Sequence, residues 1–476
     1  MSETKNKTQI AIIGAGPGGY PAAFLAADLG LEGTMIDPED NPGGVCLYRG
    51  CIPSKALLHS AKVISEADHL KNLGITFNKP KIDLDKLRDW KNGVVEKLVR
   101  GLGQLSRQRK VTYIQGRATF LNSTTLEIKR TDGSIEELEF EYAVIATGSR
   151  PAHIPSFPND SPHLLNSTSA LDLPEIPKTM LVVGGGYIGL ELGTVYAALG
   201  TKVSVVEMTS GLMQGADRDL VRVLQKSSEP IYESIMLNTK VVHMEETKNG
   251  IKVKFEREGS EDTKMIFDKV LVSVGRKPNS ENLGLENTDV EVDSKGFIKT
   301  DNQRRTSDRN IFAIGDVAGE PMLAHKATHE GRIVAEVLAG RNVAFEPNAI
   351  PAVVFTDPEI AWCGITETEA KEKELKVKVA RFPWSASGRA TTLDRNDGVT
   401  KLIIDPETDR VLGMGIVGSG AGELIAEGVL AIEMGALVSD LELTIHAHPT
   451  LSETVMESAE VYYGLSTHMY KPKRDR

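Results

Sequence analysis

The segment TQIAIIGAGPGG, residues 8–19, decides the fold of this chain of 476 residues. Its first half is a short apolar run with the length of a buried parallel strand. Gly14, Gly16 and Gly19 match the GxGxxG pattern, in which glycines allow a tight turn, close approach to a pyrophosphate and close helix packing. A helical pattern and a second strand, GTMID, follow and end at Asp37, which is placed to accept a hydrogen bond from a ribose hydroxyl. This order predicts a dinucleotide-binding unit of the Rossmann type.

The same plan occurs a second time. The strand MLVV leads into GGGYIG, where Gly184, Gly186 and Gly189 repeat the pattern, and the next strand ends at Glu207. The spacing from first glycine to acid is 23 residues in both copies, 37 − 14 and 207 − 184. We therefore predict one flavin site and one nicotinamide site, the alternative being that one copy is a structural relic. Glu207 suits the free 2′-hydroxyl of NAD and would repel a 2′-phosphate.

The remaining elements predict an α/β protein with two Rossmann-like domains and a C-terminal α+β domain. Each copy runs into a β-meander and then a buried strand that stops at a glycine, Gly148 in the first and Gly275 in the second. After Pro347 the glycine fingerprints stop, and a hairpin is followed by helical patterns. Predicted helices cover residues 56–72, 84–108, 323–338, 423–434 and 454–462, and predicted meanders cover residues 111–142 and 241–269.

A second informative stretch is GGVCLYRGCIPSKALLH, residues 43–59. In a regular helix Cys46 and Cys51 would point ~140° apart with Cα atoms roughly 7.5 Å apart along the axis. A disulfide needs Cα atoms within about 7 Å, so a bonded pair requires a bent backbone, which Gly50 makes easier. Pro53 suits the first turn of a helix, and Cys51 is expected just ahead of it, where N–H groups favour a thiolate. Two interpretations stay open, two buried reduced cysteines or a reversible disulfide with one nucleophilic thiol.

The segment IHAHPTLSE, residues 445–453, offers a candidate base. A carboxylate at Glu453 could hold the imidazole of His448, fixing its tautomer and raising its basicity. The alternative is that His446 and His448 are structural. They are too few for a metal site without further ligands, and we predict no metal.

Composition limits the class of protein. Hydrophobic residues make up 40% and charged residues 25% of the chain, which is ordinary for an enzyme in solution. A net charge of −11 argues against a nucleic-acid or anionic membrane partner. The first residues, MSETKNKTQ, contain no apolar segment of a secretory signal, so we expect a cytoplasmic protein.

These motifs, together with ATGSRP, VGRKPN, FAIGD and HAHPTLSE, resemble the flavin-dependent pyridine nucleotide-disulfide oxidoreductase family over nearly the whole chain. The resemblance is strongest to the lipoamide branch. It implies an FAD-binding domain at 1–150, an NAD-binding domain at 151–277, a central segment at 278–349 that completes the flavin site, and a C-terminal dimerisation domain at 350–476.

The resemblance also implies roles for individual residues. Cys46, Cys51, His448 and Glu453 would be catalytic, with Lys55 and Glu191 as an ion pair near the flavin ring. The residues implied in FAD binding are Gly14, Gly16, Gly19, Asp37, Lys55, Gly116, Thr147, Gly148, Asp316 and Ala324. The residues implied in NAD binding are Gly184, Gly186, Tyr187, Gly189, Glu207 and Gly275.

The implied activity is oxidation of protein-bound dihydrolipoamide to lipoamide with NAD⁺, within 2-oxo acid dehydrogenase complexes. Lipoyl domains and the acyltransferase core would be the partners. The chain would form a homodimer in which His448 serves the cysteines of the other subunit. Substrate thiolate would attack Cys46, and Cys51 would be released toward the flavin.

Three positions depart from the family pattern or match no redox motif. Tyr48 and Arg49 stand between the cysteines where relatives commonly have Asn-Val, which alters the thiol channel or merely its rim. Tyr187 resembles the tyrosine of glutathione reductase, and we expect it to cover the flavin until NAD arrives. Cys363 is expected to be a buried core thiol. The competing functions are a glutathione-type reductase that runs the opposite way and a non-catalytic flavoprotein subunit.

Overall fold

A computed structural model describes residues 6–259 and 261–470 as alternating strands and helices. The strands are β1 (Asn6–Ile13), β2 (Gly33–Asp37), β3 (Thr112–Asn122), β4 (Thr125–Arg130), β5 (Ile135–Ile145), β6 (Ser149–Pro151), β7 (Leu164–Leu165), β8 (Thr179–Val183), β9 (Lys202–Val206), β10 (Ser234–Met236), β11 (Thr239–Thr247), β12 (Gly250–Arg257), β13 (Thr263–Phe267), β14 (Lys269–Val272), β15 (Arg276–Pro278), β16 (Ile311–Ala313), β17 (Ala352–Val354), β18 (Glu359–Gly364), β19 (Lys378–Pro383), β20 (Val399–Ile404) and β21 (Val411–Gly418). The helices are α1 (Gly19–Asp28), α2 (Gly44–Arg49), α3 (Cys51–His69), α4 (Leu84–Gln108), α5 (Ser167–Leu171), α6 (Tyr187–Ala198), α7 (Arg218–Ser228), α8 (Ala324–Leu338), α9 (Glu367–Glu372), α10 (Gly388–Thr392), α11 (Ala421–Glu433), α12 (Val438–Leu443) and α13 (Glu453–Tyr463).

The described residues divide into two compact units. Unit 1 joins residues 6–56, 83–153 and 275–346, and unit 2 joins the other described residues. Each unit is built around one copy of the glycine fingerprint, as the repeated spacing predicts.

The sheet of unit 1 has a parallel core in the order β3-β2-β1-β5-β16. The strands of this core carry apolar side chains on both faces, as expected for a parallel sheet covered by helices. The first predicted meander, β3-β4-β5, is not a separate element, because β5 continues from its antiparallel pairing with β4 into parallel pairing with β1. The buried strand that was predicted to stop at Gly148 is the second half of β5, and it ends earlier, at Ile145.

Unit 2 contains the second parallel sheet, in the order β10-β9-β8-β14-β7. Its meander, β11-β12-β13, forms a three-stranded antiparallel sheet of its own, so the two copies differ at this point. The C-terminal part of the unit holds a five-stranded antiparallel sheet, β17-β18-β21-β20-β19, with α11 and α13 packed on it. Its core includes Trp384, which is fully buried and donates its ring N–H to Thr400 Oγ1 at 3.0 Å.

The sequence predicted most of the longer helices closely. The predicted helix over 84–108 is α4, whose N-terminus is capped by the Asp83 side chain on the Lys86 N–H. The helix predicted over 56–72 begins earlier, at Cys51, which is its first residue instead of lying just ahead of it. Across the described ranges, 6–259 and 261–470, no helix has the length and apolar character needed to cross a membrane.

A buried ion cluster stabilises unit 2. The ammonium of Lys401, with a side chain only 1% exposed, lies 2.7 Å from a carboxylate oxygen of each of Asp217, Asp219 and Glu367. Three carboxylates this close would otherwise repel one another or attract a cation. Because the lysine already supplies the positive charge, we interpret the cluster as structural, joining α7, α9 and β20.

Candidate active site

The first fingerprint loop leaves no room for a side chain at Gly14 or Gly19. Gly14 has a φ of +99°, and a Cβ there would lie 2.4 Å from the Ala146 carbonyl oxygen. A Cβ on Gly19, the first residue of α1, would lie 1.9 Å from the carbonyl oxygen of Gly14. Strand, turn and helix therefore pack as a dinucleotide site requires.

The acid at the end of β2 fastens this loop. Asp37 accepts the N–H of Ala15 at 2.7 Å through Oδ2 and the N–H of Glu39 at 3.0 Å through Oδ1. Burial raises the pKa of Asp37, although the Ala15 N–H opposes that shift. Each carboxylate oxygen keeps acceptor capacity for a ribose hydroxyl, so the residue fits the predicted role.

The second copy repeats this arrangement. Glu207 accepts the N–H of Gly185 at 2.8 Å through Oε2, and the N–H and hydroxyl of Thr209, both at 2.8 Å, through Oε1. A Cβ on Gly184 would lie 2.5 Å from the Ser273 carbonyl oxygen, whereas a Cβ on Gly186 would meet no atom within 4 Å. Gly186, directly before α6, therefore borders open space at a helix N-terminus, which suits a pyrophosphate.

The cysteine segment, residues 43–59, is bent at Gly50, as a bonded cysteine pair would require. Helix α2 carries Cys46 and ends at Arg49, and Gly50, with φ −142° and ψ −113°, separates it from α3, which begins with Cys51. Cys46 is half-buried and Cys51 is exposed. A hydrogen bond with Cys51, together with burial, raises the pKa of Cys46. The two sulfurs are thus neighbours, as thiol–disulfide chemistry requires.

This segment lies directly on the first fingerprint loop. The N–H of Gly43 donates to the carbonyl oxygen of Ala15 at 2.8 Å. Gly44 has a φ of +58°, and a Cβ there would lie 2.4 Å from the Cα of Gly16. The thiol pair is therefore held beside the residues that would bind the flavin nucleotide.

The predicted flavin contacts in the later segments also belong to unit 1. Thr147 donates to the carbonyl oxygen of Asn279 at 2.8 Å, and Asp316 accepts the hydroxyl of Ser149 at 2.5 Å. The first bond joins the segment after β5 to the segment after β15, and the second joins β6 to the segment after β16. Gly148 has a φ of +68°, Ala324 is the first residue of α8, and Gly116 lies within β3.

A buried acid beside Asp316 was missed by the sequence analysis. Glu330 in α8 is fully buried and accepts the N–H of Gly315 at 2.7 Å. Its other oxygen lies 3.0 Å from Lys326 Nζ and 3.2 Å from Arg304 Nη1. In sequence, an acid four residues after a lysine is typical of an exposed helix face, so no local signal indicates its burial.

Four predicted residues have positions that leave their roles open. Glu191 in α6 is buried and accepts the Phe355 N–H at 2.9 Å, while Lys55 lies in α3. Their ion pair stays a prediction. Tyr187 is the first residue of α6 and 39% exposed, and Gly275 has a φ of +123° and belongs to unit 1. The gating role of Tyr187 also stays a prediction.

The histidine segment forms the predicted pair. His448 Nδ1 lies 2.9 Å from Glu453 Oε1, and the other oxygen of Glu453 accepts the N–H of Thr450 at 2.7 Å. Burial acts to raise the pKa of Glu453, but the Thr450 N–H and His448 outweigh it and hold that pKa below its usual value. An ionised Glu453 accepts a hydrogen bond from the Nδ1–H of His448, which leaves Nε2 as the basic nitrogen.

His446 in the same segment is different. Its ring is buried and its nitrogens lie 2.9 Å from the Thr444 carbonyl oxygen and 2.8 Å from Glu427 Oε1. Both of its nitrogens are engaged within the chain, whereas the side chain of His448 is 76% exposed. Of the two, only His448 is placed to meet a substrate.

Comparison with known proteins agrees with this geometry. Residues 8–331 match the family model described as pyridine nucleotide-disulphide oxidoreductase, and residues 350–459 match the dimerisation domain of the same family. The chain belongs to this family of oxidoreductases, and its cofactors are FAD and NAD. The predicted family and fold class are confirmed, and so are the predicted cofactors.

Individual relatives are similar over almost their full length. The chain is 50% identical to a dihydrolipoyl dehydrogenase of Haemophilus influenzae over 98% of this chain and 97% of the relative. It is 48% identical to a dihydrolipoyl dehydrogenase of Vibrio cholerae, over 98% of each chain. Among solved structures, LpdA of Mycobacterium tuberculosis has a TM-score of 0.88 at 27% identity, over 95% of this chain and 99% of that one.

Proposed function

We propose that this chain oxidises protein-bound dihydrolipoamide to lipoamide and reduces NAD⁺. The observation that carries the proposal is the adjacent thiol pair on the first fingerprint loop, in a chain that also carries the His448–Glu453 pair. The relatives named as dihydrolipoyl dehydrogenases support the choice of substrate.

The residues divide the chemistry between them. Nε2 of His448 accepts the proton of one substrate thiol, and the resulting thiolate attacks the Cys46 sulfur of the Cys46–Cys51 disulfide, releasing Cys51 as a thiolate. The second substrate thiol then displaces Cys46 and passes its proton to the departing Cys46 sulfur, which closes the lipoamide ring and leaves two electrons on the cysteine pair. A bound FAD, held by the first fingerprint loop and Asp37, would supply the electron transfer from this cysteine pair to NAD⁺.

The base acts across a homodimer in this proposal. The C-terminal region matches a dimerisation domain, and large apolar side chains are exposed in the described part of it. Leu443 is 75% exposed and Ile445 is 96% exposed, immediately before His448 in the chain. Burial of such side chains against a second copy would bring each His448 to the thiols of the other subunit. We further propose docking on the acyltransferase core of a 2-oxo acid dehydrogenase complex.

An anaerobic assay tests the substrate and the cofactor together. Given dihydrolipoamide, the purified holoenzyme is expected to form NADH from NAD⁺ and to use NADP⁺ with a kcat/KM at least about 100-fold lower, because Glu207 repels a 2′-phosphate. Absorbance of the reduced nucleotide reports both reactions. Turnover only with NADPH and glutathione disulfide would move the chain to the glutathione branch, and silence in both assays would support the non-catalytic alternative.

The orienting role of Glu453 gives a second prediction. Glu453→Gln removes the charge that fixes the Nδ1 proton, and we expect kcat for dihydrolipoamide oxidation to fall by about 100-fold. Glu427→Gln is the matched control, since it alters the equivalent pair on His446, and its effect should be several-fold at most. Stopped-flow reduction of the flavin by dihydrolipoamide measures the step. Equal losses in the two variants would contradict the assignment of His448 as the base.

A further inference from the structure

Tyr48 and Arg49, the residues between the two cysteines, both contact the loop that follows β2. The hydroxyl of Tyr48 lies 3.0 Å from Asp40 Oδ1 and 3.0 Å from the carbonyl oxygen of Asn41, and it can donate a hydrogen bond to either. The guanidinium of Arg49 pairs with the carboxylate of Glu39. Both side chains are half-buried, and the guanidinium carbon lies 5.9 Å from the centre of the Tyr48 ring.

The loop of residues 38–41 is itself fixed to the dinucleotide site. Asp37 accepts the N–H of Glu39 at 3.0 Å, and the same Asp37 carboxylate holds the first fingerprint loop. The hydroxyl of Tyr113 donates to the carbonyl oxygen of Glu39 at 3.1 Å. A continuous series of hydrogen bonds therefore runs from the acid at the end of β2 to the residues between the cysteines.

We propose that Tyr48 and Arg49 are positioning residues that attach the thiol segment, residues 43–51, to this loop. The attachment would fix the position of the thiol pair relative to Asp37, the acid at the end of β2. The proposal rests on the proposed function for the identity of the nucleotide as FAD. It gives a role to Tyr48 and Arg49, for which the sequence indicated an effect either on the thiol channel or only on its rim.

The shape of the thiol segment explains why a second attachment is needed. Helix α2 has six residues and is interrupted at Gly50, so no continuous helix fixes Cys46 relative to Cys51. The start of the segment is held by the Gly43–Ala15 hydrogen bond and the contact of Gly44 with Gly16. Tyr48 and Arg49 hold its other end.

Electrostatics supports the same connection. Burial raises the pKa of Asp37, and the charge of Arg49 opposes that shift. Burial and the carboxylate of Asp40 raise the pKa of Tyr48, so the hydroxyl keeps its proton and stays a donor at neutral pH. The hydrogen bond from Tyr48 to the loop is therefore kept at neutral pH.

The experiment compares Tyr48→Phe and Arg49→Met with wild type, using holoenzyme throughout. Flavin release is followed by its fluorescence, and access to the reduced thiols is followed by iodoacetamide alkylation with mass spectrometry of Cys46. Each variant removes one hydrogen bond or ion pair at a charged group, so we expect flavin release to become about tenfold faster. We expect alkylation of Cys46, which is half-buried, to rise at least about threefold.

Three further variants make the result specific. Arg49→Lys keeps the charge and should restore most of the wild-type behaviour. Arg100→Met removes an ion pair with Glu96 on the exposed face of α4 and should change neither readout. In a double-mutant cycle, Glu39→Gln with Arg49→Met should be no worse than Arg49→Met alone.

Release and alkylation rates within twofold of wild type in both Tyr48→Phe and Arg49→Met would overturn the proposal. So would additive effects in the cycle, because they would mean that Arg49 acts through something other than Glu39. Neither readout involves lipoamide. A failed substrate assay therefore counts against the proposed function, and unchanged flavin release and alkylation count against the positioning role.

Discussion

Cys46→Ser is expected to abolish oxidation of dihydrolipoamide, lowering kcat by roughly 10⁴-fold or more. A serine hydroxyl cannot form the mixed disulfide with substrate, and Cys51 alone has no partner with which to store two electrons. The variant should nevertheless keep its flavin, because Cys46 lies outside the fingerprint loop. Reduction of the flavin by NADH should also persist, since that step uses the nucleotide sites and not the thiols.

Cys363→Ala is the matched control for this prediction. Cys363 is buried in the C-terminal core, and burial raises its pKa to about 12, so it is a poor nucleophile at neutral pH. Its replacement should leave turnover of dihydrolipoamide near the wild-type rate. Substantial dihydrolipoamide turnover by Cys46→Ser would show that electrons reach the flavin without the thiol pair, and the mechanism above would be wrong.

Lys401→Met should destabilise unit 2 by about 3–5 kcal/mol, the usual cost of removing one partner from a buried ion pair. The substitution leaves the carboxylates of Asp217, Asp219 and Glu367 close together with the lysine charge gone. Thermal unfolding, followed by circular dichroism, measures the loss. Lys371→Met, on the exposed face of α9 next to the cluster, is the control and should change the melting temperature little.

The pH dependence tests the cause of this loss. In the wild type, burial acts to raise the pKa of Asp219, but Lys401 and Arg381 outweigh it and lower that pKa. This carboxylate therefore contributes stability above its unfolded pKa, and that contribution is lost as pH falls through its folded pKa. In Lys401→Met, protonation of the carboxylates instead relieves their repulsion. The difference in the free energy of unfolding between variant and wild type should therefore become smaller as pH falls below about 4. A difference in unfolding free energy that does not change with pH would indicate that the variant loses stability through packing and not through the loss of the lysine charge.

The sequence predicted the parts of the site that are local. Strand, glycine turn, helix and acid lie within about 30 residues in each copy, so their spacing alone indicates how they pack. The possible pairing of His448 with Glu453, and the need for a bend near Gly50 if the cysteines bond, were inferred from similarly short separations. The sequence did not show that Asp37 and Glu207 also accept N–H groups of their own fingerprint loops.

The rest depends on contacts between residues far apart in sequence. Lys401 contacts Asp219 across 182 positions, and nothing in the segment around either residue indicates burial. Glu330 looks like part of an exposed helix face and is fully buried. The Lys55–Glu191 pair, the gating role of Tyr187 and the domain boundaries stay predictions.

The shared strand β5 affects the order in which the two copies of the nucleotide-binding plan assemble. Its first half pairs with β4 over short separations, such as Thr125 with Glu139, 14 residues apart. Its second half pairs with β1 over long ones, such as Ile12 with Val144, 132 residues apart. Closing the short loop costs less chain entropy, so the hairpin forms early and presents an ordered edge to β1. In the second copy β14 and the meander belong to different sheets, so β8 pairs with β14 without an ordered hairpin edge. We therefore expect the second copy to fold more slowly than the first.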